Sequence, residues 1–248
     1  MRPDLQISDL ASPSDVHGVH GAAGVTQWRS LAAGRGLRGP YEAVEWACVP
    51  PGGLSGEHLH SRTEEAYVLL SGRGEALLNG EPHPVRAGEI VLTGLGATHG
   101  LRNTGAGPLS WLTLEVPAPR TLALTHSAWK EAPMTDPQTG EAVIVDLEEL
   151  RDVDPRPTLQ GPLRRIRLLE LAPGAAERLP GQGAEHTVFV LSGAATATSG
   201  SGDVTVREGM SVTASGGEDL RITASAVGLR AVCASFVVPS PHERGAGL

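Results

Sequence analysis

The sequence predicts an all-β chain made of two copies of one domain, and three observations carry that reading. Glycine and proline are abundant, at 32 and 19 of 248 residues, and both end helices, so short elements joined by turns are expected. The apolar residues fall in short or alternating runs, as strands of a barrel or sandwich do. The chain also repeats itself at a step of 121 residues: Leu70-Ser71-Gly72 returns as Leu191-Ser192-Gly193, Gly88 as Gly209, and Gly107 as Gly228. Pro51-Gly52 returns as Pro173-Gly174, one residue out of step. A single Ser-Gly match means little, but four anchors in one order indicate a duplication.

The elements follow in chain order. Residues 1–39 are glycine-rich and weakly patterned and are read as an N-terminal arm. The first domain, 40–117, holds strand-like runs at Tyr67 to Leu70, Ile90 to Thr93 and Leu109 to Val116. Between 72 and 90 the pattern is strand, turn, strand, with Asn79-Gly80 as the two-residue hairpin loop. A connector, 118–161, contains Pro133, Pro137, Pro155 and Pro157 and is expected to be mostly irregular, with one short helix at Leu147 to Arg151. The second domain, 162–239, has strands at Val188 to Leu191 and Leu229 to Val238, and 240–248 is expected to be a flexible tail.

Composition narrows function by exclusion. A net charge of −8 opposes nucleic-acid binding, which depends on Lys and Arg neutralising phosphates. Two cysteines, Cys48 and Cys233, are too few for a disulfide scaffold or a thiolate zinc site, which fits a reducing cytoplasm. The N-terminus carries Asp4 and Asp9 where a signal peptide needs an apolar run, and Arg230 interrupts the longest apolar stretch. The expected partners are a small-molecule substrate and a second copy of the chain as a homodimer, with no nucleic acid and no membrane.

The chemically informative segment runs from Gly52 to Gly72. On a strand, residues i and i+2 face one side, so His58 and His60 project together, with Glu65 just past the following bend. His99 follows 34 residues later, between Gly96 and Asn103. Three imidazoles and a carboxylate converging inside a barrel suit a divalent transition metal such as Fe, Mn, Ni or Zn.

These two segments resemble the paired motifs of the cupin superfamily, G(X)5HXH(X)3,4E(X)6G and G(X)5PXG(X)2H(X)3N. The first matches at Gly52, His58, His60, Glu65 and Gly72; the second at Gly88, Gly96, His99 and Asn103, with Gly94 in place of proline. The resemblance implies two double-stranded β-helix, jelly-roll-like barrels (a bicupin), the first binding one metal ion through His58, His60, Glu65 and His99. The six-residue spacing to Gly72 selects Glu65 over Glu64. In the second copy the same positions fall on Pro180, Gln182, His186 and Leu220, so that barrel is expected to be metal-free.

Trp46, Tyr67 and Trp111 adjoin these motifs and are candidates for lining a substrate pocket, with Tyr67 sharing the strand parity of Glu65. His17 and His20 have helical ligand spacing, but the glycines around them oppose a helix. The resemblance implies an enzyme acting on a small chelating molecule, with Glu65 as ligand or catalytic base. A dioxygenase is the leading expectation. A redox-neutral isomerase, cyclase or hydrolase is the alternative, and a non-catalytic binding or sensing module comes from a different class.

Overall fold

The computed structural model describes residues 5–32, 37–125, 140–200, 202–215 and 217–238. The expected tail, together with Pro133, Pro137, His126 and His242, lies outside the described residues.

The arm forms β1 (Leu5–Asp9), β2 (Ser14–His17) and β3 (Val25–Ala32). The first barrel follows with β4 (Ala43–Val49), β5 (Leu54–Leu59), β6 (Thr63–Ser71), β7 (Arg73–Leu78), β8 (Glu81–Arg86), β9 (Glu89–Thr93), β10 (Thr98–Asn103) and β11 (Leu109–Pro117). The connector contributes α1 (Pro119–Thr125), β12 (Ala142–Asp146), α2 (Leu147–Leu150) and β13 (Asp152–Val153). The second barrel comprises β14 (Leu163–Leu171), β15 (Ala176–Leu179), β16 (Ala184–Ser199), β17 (Gly202–Arg207), β18 (Met210–Ala214) and β19 (Leu220–Val237). Among the described residues no helix is long and apolar enough to cross a membrane.

In the first barrel, a seven-stranded sheet ordered β12-β9-β6-β11-β4-β3-β2 faces a four-stranded sheet ordered β5-β10-β7-β8. In the second, β16 and β19 are long enough to bend through both faces, so one eight-stranded sheet closes the barrel. The duplication appears in the register. Glu65 stands opposite Thr93 as His186 stands opposite Ala214, each pair displaced by the same 121 residues. Gly72 and Gly193 both have positive φ, 82° and 79°, and a Cβ on either would strike the backbone of the neighbouring strand. That close approach explains why glycine recurs there. The Asn79-Gly80 loop forms as expected, with φ positive at both residues.

Alternation sorts the side chains. On β6, Glu65, Tyr67 and Leu69 point into the barrel while Ala66 and Val68 point out; on β11, Leu112, Leu114 and Val116 point out. The outward set meets Ile166, Leu168, Phe189, Val232 and Phe236 of the second barrel in one continuous buried core. Each such side chain contributes roughly 1.5–3 kcal/mol on burial, so the barrels stabilise each other.

The arm and the connector depart from expectation. The arm is stranded, and the connector carries β12 in addition to the helix at 147–150. Each also adds a strand to the barrel it does not lead into. β1 pairs antiparallel with β18 of the second barrel, and β12 with β9 of the first. The two crossings are equivalent: Leu10 N–H donates to Gly209 O as Leu147 N–H donates to Gly88 O.

Crossing also accounts for the motif's missing proline. Gly94 N–H donates to Glu141 O at 2.8 Å beside β12, a bond proline cannot make.

Candidate metal centre

Three strands and a bend bring the four expected ligands together. His58 lies on β5 directly opposite His99 on β10. His60 follows the end of β5, held by its N–H to Ala97 O at 3.0 Å and by Gly96 N–H to its own carbonyl at 2.7 Å. Glu65 is the third residue of β6. The Asn103 side chain fastens the end of β10, donating to Val49 O and Gly107 O and accepting from Gly105 N–H.

The ligand atoms all lie within 4.8 Å of one another. Glu65 Oε2 stands 2.7 Å from His99 Nε2, 3.3 Å from His60 Nε2 and 3.9 Å from His58 Nε2. The Nε2 atoms of His60 and His99 are 3.1 Å apart. Each ring's other nitrogen is engaged outward: His58 Nδ1 with Gly56 O at 3.0 Å, His60 Nδ1 with Thr63 Oγ1 at 3.3 Å, and His99 Nδ1 with Thr93 Oγ1 at 2.8 Å. With the Nδ1 protons so placed, three Nε2 lone pairs converge on one carboxylate oxygen.

That oxygen is the decisive observation. Glu65 Oε2 is buried and accepts no hydrogen bond of acceptable geometry. Lone pairs facing an orphaned carboxylate oxygen repel one another, and a divalent cation among them satisfies all four. The 2.7–3.3 Å spacings among Glu65, His60 and His99 are near the roughly 3 Å between adjacent ligands held at about 2.1 Å, and His58 stands farther out at 3.9 Å from Glu65. Burial pushes the His58 imidazole down to about 4, which keeps it neutral and ligand-ready near pH 7. The donor set therefore fits a transition metal.

The centre opens onto a cavity of about 660 Å³. Tyr67 and Trp111 line it, and Tyr67 also packs on His99 with ring centroids 4.4 Å apart. Trp46 does not line it. It shares the parity of Val44, on the outward face of β4, and packs into the core between the barrels, which corrects the expectation of a pocket role. Glu64 likewise faces outward, accepting Gly161 N–H at 2.6 Å, so the choice of Glu65 agrees with the geometry.

The cavity also presents residues not anticipated from sequence. Glu45 and Glu115 both face it, Glu115 directly across the strand pair from Glu65. Burial raises both carboxyls, and the Glu65 charge adds to the effect. Neither has an Arg or Lys ion pair among the described residues. Strand parity carries a signal for Glu115, which alternates with Trp111 and Thr113. His17 and His20 form no metal-ligating pair: His17 is exposed on β2, while His20 sits in a tight turn at the cavity. Arg102 is exposed near Glu75, at 3.7 Å.

In the second barrel, His186 has both ring nitrogens occupied, Nδ1 by Ser235 Oγ and Nε2 by Pro180 O, each at 2.9 Å. Leu220, at the place of His99, is fully buried among Leu179, Val188, Ile222 and Cys233. Apolar packing fills this interior.

Known proteins share both the motif segment and the two-barrel architecture. Residues 45–115 match the cupin domain family, Cupin_2. An oxalate-binding protein of Thermotoga maritima is 27% identical over 107 residues, covering 43% of this chain and 88% of that protein. The structure of Ylba from E. coli superposes with a TM-score of 0.72 at 12% identity, covering 97% of this chain and 93% of that one. Salicylate 1,2-dioxygenase from Pseudoaminobacter salicylatoxidans superposes with a TM-score of 0.60 at 12% identity, covering 95% and 82%. The last two likenesses are of fold.

Proposed function

Because the chain is a bicupin of the cupin superfamily, with four side chains able to hold a metal converging in its first barrel, we propose that it is a mononuclear metal-dependent enzyme acting on a small organic molecule that chelates the metal. The orphaned Glu65 Oε2, ringed by three imidazole nitrogens and open to a cavity, is the observation that carries this reading. A bound divalent ion, Fe, Mn, Ni or Zn, would supply Lewis acidity or a binding position for dioxygen.

The chain's own groups divide the remaining work. His58, His60, His99 and Glu65 would hold the ion on the barrel side and leave the cavity side to substrate. Tyr67 and Trp111 close the inner wall and exclude water from it. Glu65 is read as a ligand that can also act as base. Glu115, opposite it, and Glu45 offer carboxylate oxygens that can accept a substrate proton and return it.

Dioxygenation is the leading reaction: an ion held by His58, His60, Glu65 and His99 would supply binding for a substrate oxygen and for dioxygen on its cavity side. The two non-ligand carboxylates favour a second reading, a redox-neutral isomerisation, cyclisation or hydrolysis, because proton relay needs no electron acceptor. The metal-loaded protein should be offered enolisable carbonyl compounds, catechols and small carboxylic acids, with and without oxygen. Turnover that stops without oxygen supports the dioxygenase. Turnover that persists supports the redox-neutral reading, and Glu115→Gln should then lower kcat by about 100-fold with metal content unchanged. Binding of these compounds without any turnover would overturn the enzyme reading in favour of a sensing module.

A further inference from the structure

Of the three histidine ligands, His58 is the one the barrel does not enclose. Its side chain is 22% exposed, against 2% for His60 and 0% for His99, and Tyr67 packs on His99. A residue from the N-terminal arm covers His58. The His20 ring stacks on it with centroids 3.5 Å apart and planes 8° from parallel, nearly flat face to face.

His20 belongs to the turn between β2 and β3, and that turn is built for one position. His20 itself has φ 50° and ψ 38°, a left-handed conformation uncommon for a residue with a side chain. The turn is closed by Gly21 N–H to Gly18 O at 3.0 Å and Ala22 N–H to Val19 O at 3.1 Å. It rests on β5 at Gly56, where a Cβ would lie on the His20 carbonyl oxygen. Glycine there lets the arm seat against the strand that carries His58, and Gly56 O accepts the His58 Nδ1 proton.

The second barrel holds both ends of this arm. β1 is a strand of its sheet, and Glu185 on β16 accepts the Arg38 and Gly39 N–H groups at 2.7 Å each. Between those anchors, the β2–β3 hairpin forms the edge of the first barrel's larger sheet, β3 pairing with β4, and brings His20 to the cavity, with Val16 and Val19 also lining it.

We propose that His20 is a positioning residue of the metal centre: its ring, carried on an arm anchored by the second barrel, fixes the His58 imidazole in its ligating orientation and shields it from water. The proposal rests on the metal-binding reading above. It gives the barrel without a ligand set a part in the site of the other.

Cobalt(II) affinity, measured on the full chain by competition with a chromophoric chelator, tests it together with the ligand-field spectrum. Stacking of this kind and outer partners of ligating histidines predict that His20→Ala weakens cobalt binding about tenfold and alters the spectrum. The melting temperature of the metal-free protein should stay within about 2 °C, because His20 is exposed. His20→Phe, which keeps a stacking ring, should return affinity to within about threefold of wild type. Gly56→Ala should reproduce the His20→Ala loss, since it displaces the turn without changing a cavity side chain. Wild-type affinity and spectrum in His20→Ala, or no recovery in His20→Phe, overturns the role of His20 alone. A wild-type chain that takes up no cobalt overturns the metal-binding reading, and this proposal with it.

Discussion

Replacing His99 with leucine, the residue at the matching position 220 of the second barrel, is expected to abolish metal binding and preserve the fold. The second barrel shows that this position accepts leucine when the interior around it is apolar. In the first barrel the substitution removes an imidazole nitrogen 2.7 Å from Glu65 Oε2 and strands the Thr93 hydroxyl, which holds His99 Nδ1 at 2.8 Å. The stranded hydroxyl costs about 1–2 kcal/mol, well within what a domain of this size withstands. Losing a direct ligand exceeds the 10–100-fold cost typical of losing an outer partner, so affinity should fall by more than about 100-fold. Elemental analysis checks the metal, and the far-ultraviolet dichroism spectrum checks the fold. His186→Ala is the matched control in the second barrel and should leave metal content unchanged.

Glu185→Ala should destabilise the protein strongly, because one buried carboxylate ties the arm to the second barrel. That residue is 1% exposed and accepts three donors: Arg38 N–H and Gly39 N–H at 2.7 Å, and the Tyr41 hydroxyl at 2.5 Å. Burial and the Glu185 charge push the Tyr41 hydroxyl far up, so it stays protonated and donating. Alanine leaves three part-buried donors without that acceptor, at roughly 1 kcal/mol each after relief by water, or about 3 kcal/mol in all. Tyr41→Phe removes one donor together with its bond and should cost only about 1 kcal/mol. Urea denaturation of the two variants measures the difference, and equal midpoints would contradict it. The repeat has a counterpart in Glu64, 121 residues earlier, which holds Gly161 N–H where the connector enters the second barrel. Each barrel thus uses the residue before its ligand-position side chain to secure the segment entering the other barrel.

The four residues of the candidate metal centre are legible in the sequence because their spacing is a property of adjacent strands. Two histidines at i and i+2 must share a face, and frame glycines such as Gly72 mark where backbones meet. The exchange of β1 and β12 leaves only a faint trace. Ile7-Ser-Asp-Leu10 and Ile144-Val-Asp-Leu147 are the same pattern, but their step is longer than the 121 residues linking the barrels. Adjacency to a motif misplaces Trp46, because it says nothing about side; parity with Val44 and Cys48 puts the indole on the outward face. Glu45 and Glu115 escape a sequence reading because an acidic residue on a strand reads as facing the outer surface, and here it faces the cavity. His20 is beyond local reading, since its contact with His58 joins residues 38 apart and arises only when the β2–β3 hairpin pairs with β4 and its turn seats on β5.

The most direct test of the metal centre is the metal content of the full chain purified without chelators or nickel resin, then offered Fe(II), Mn(II), Ni(II) and Zn(II) in turn. One tightly held transition-metal ion per chain, absent from His60→Ala and from Glu65→Ala, is the expected result. A wild-type chain that retains none of the four ions, or a His60→Ala chain that retains as much as wild type, would contradict it.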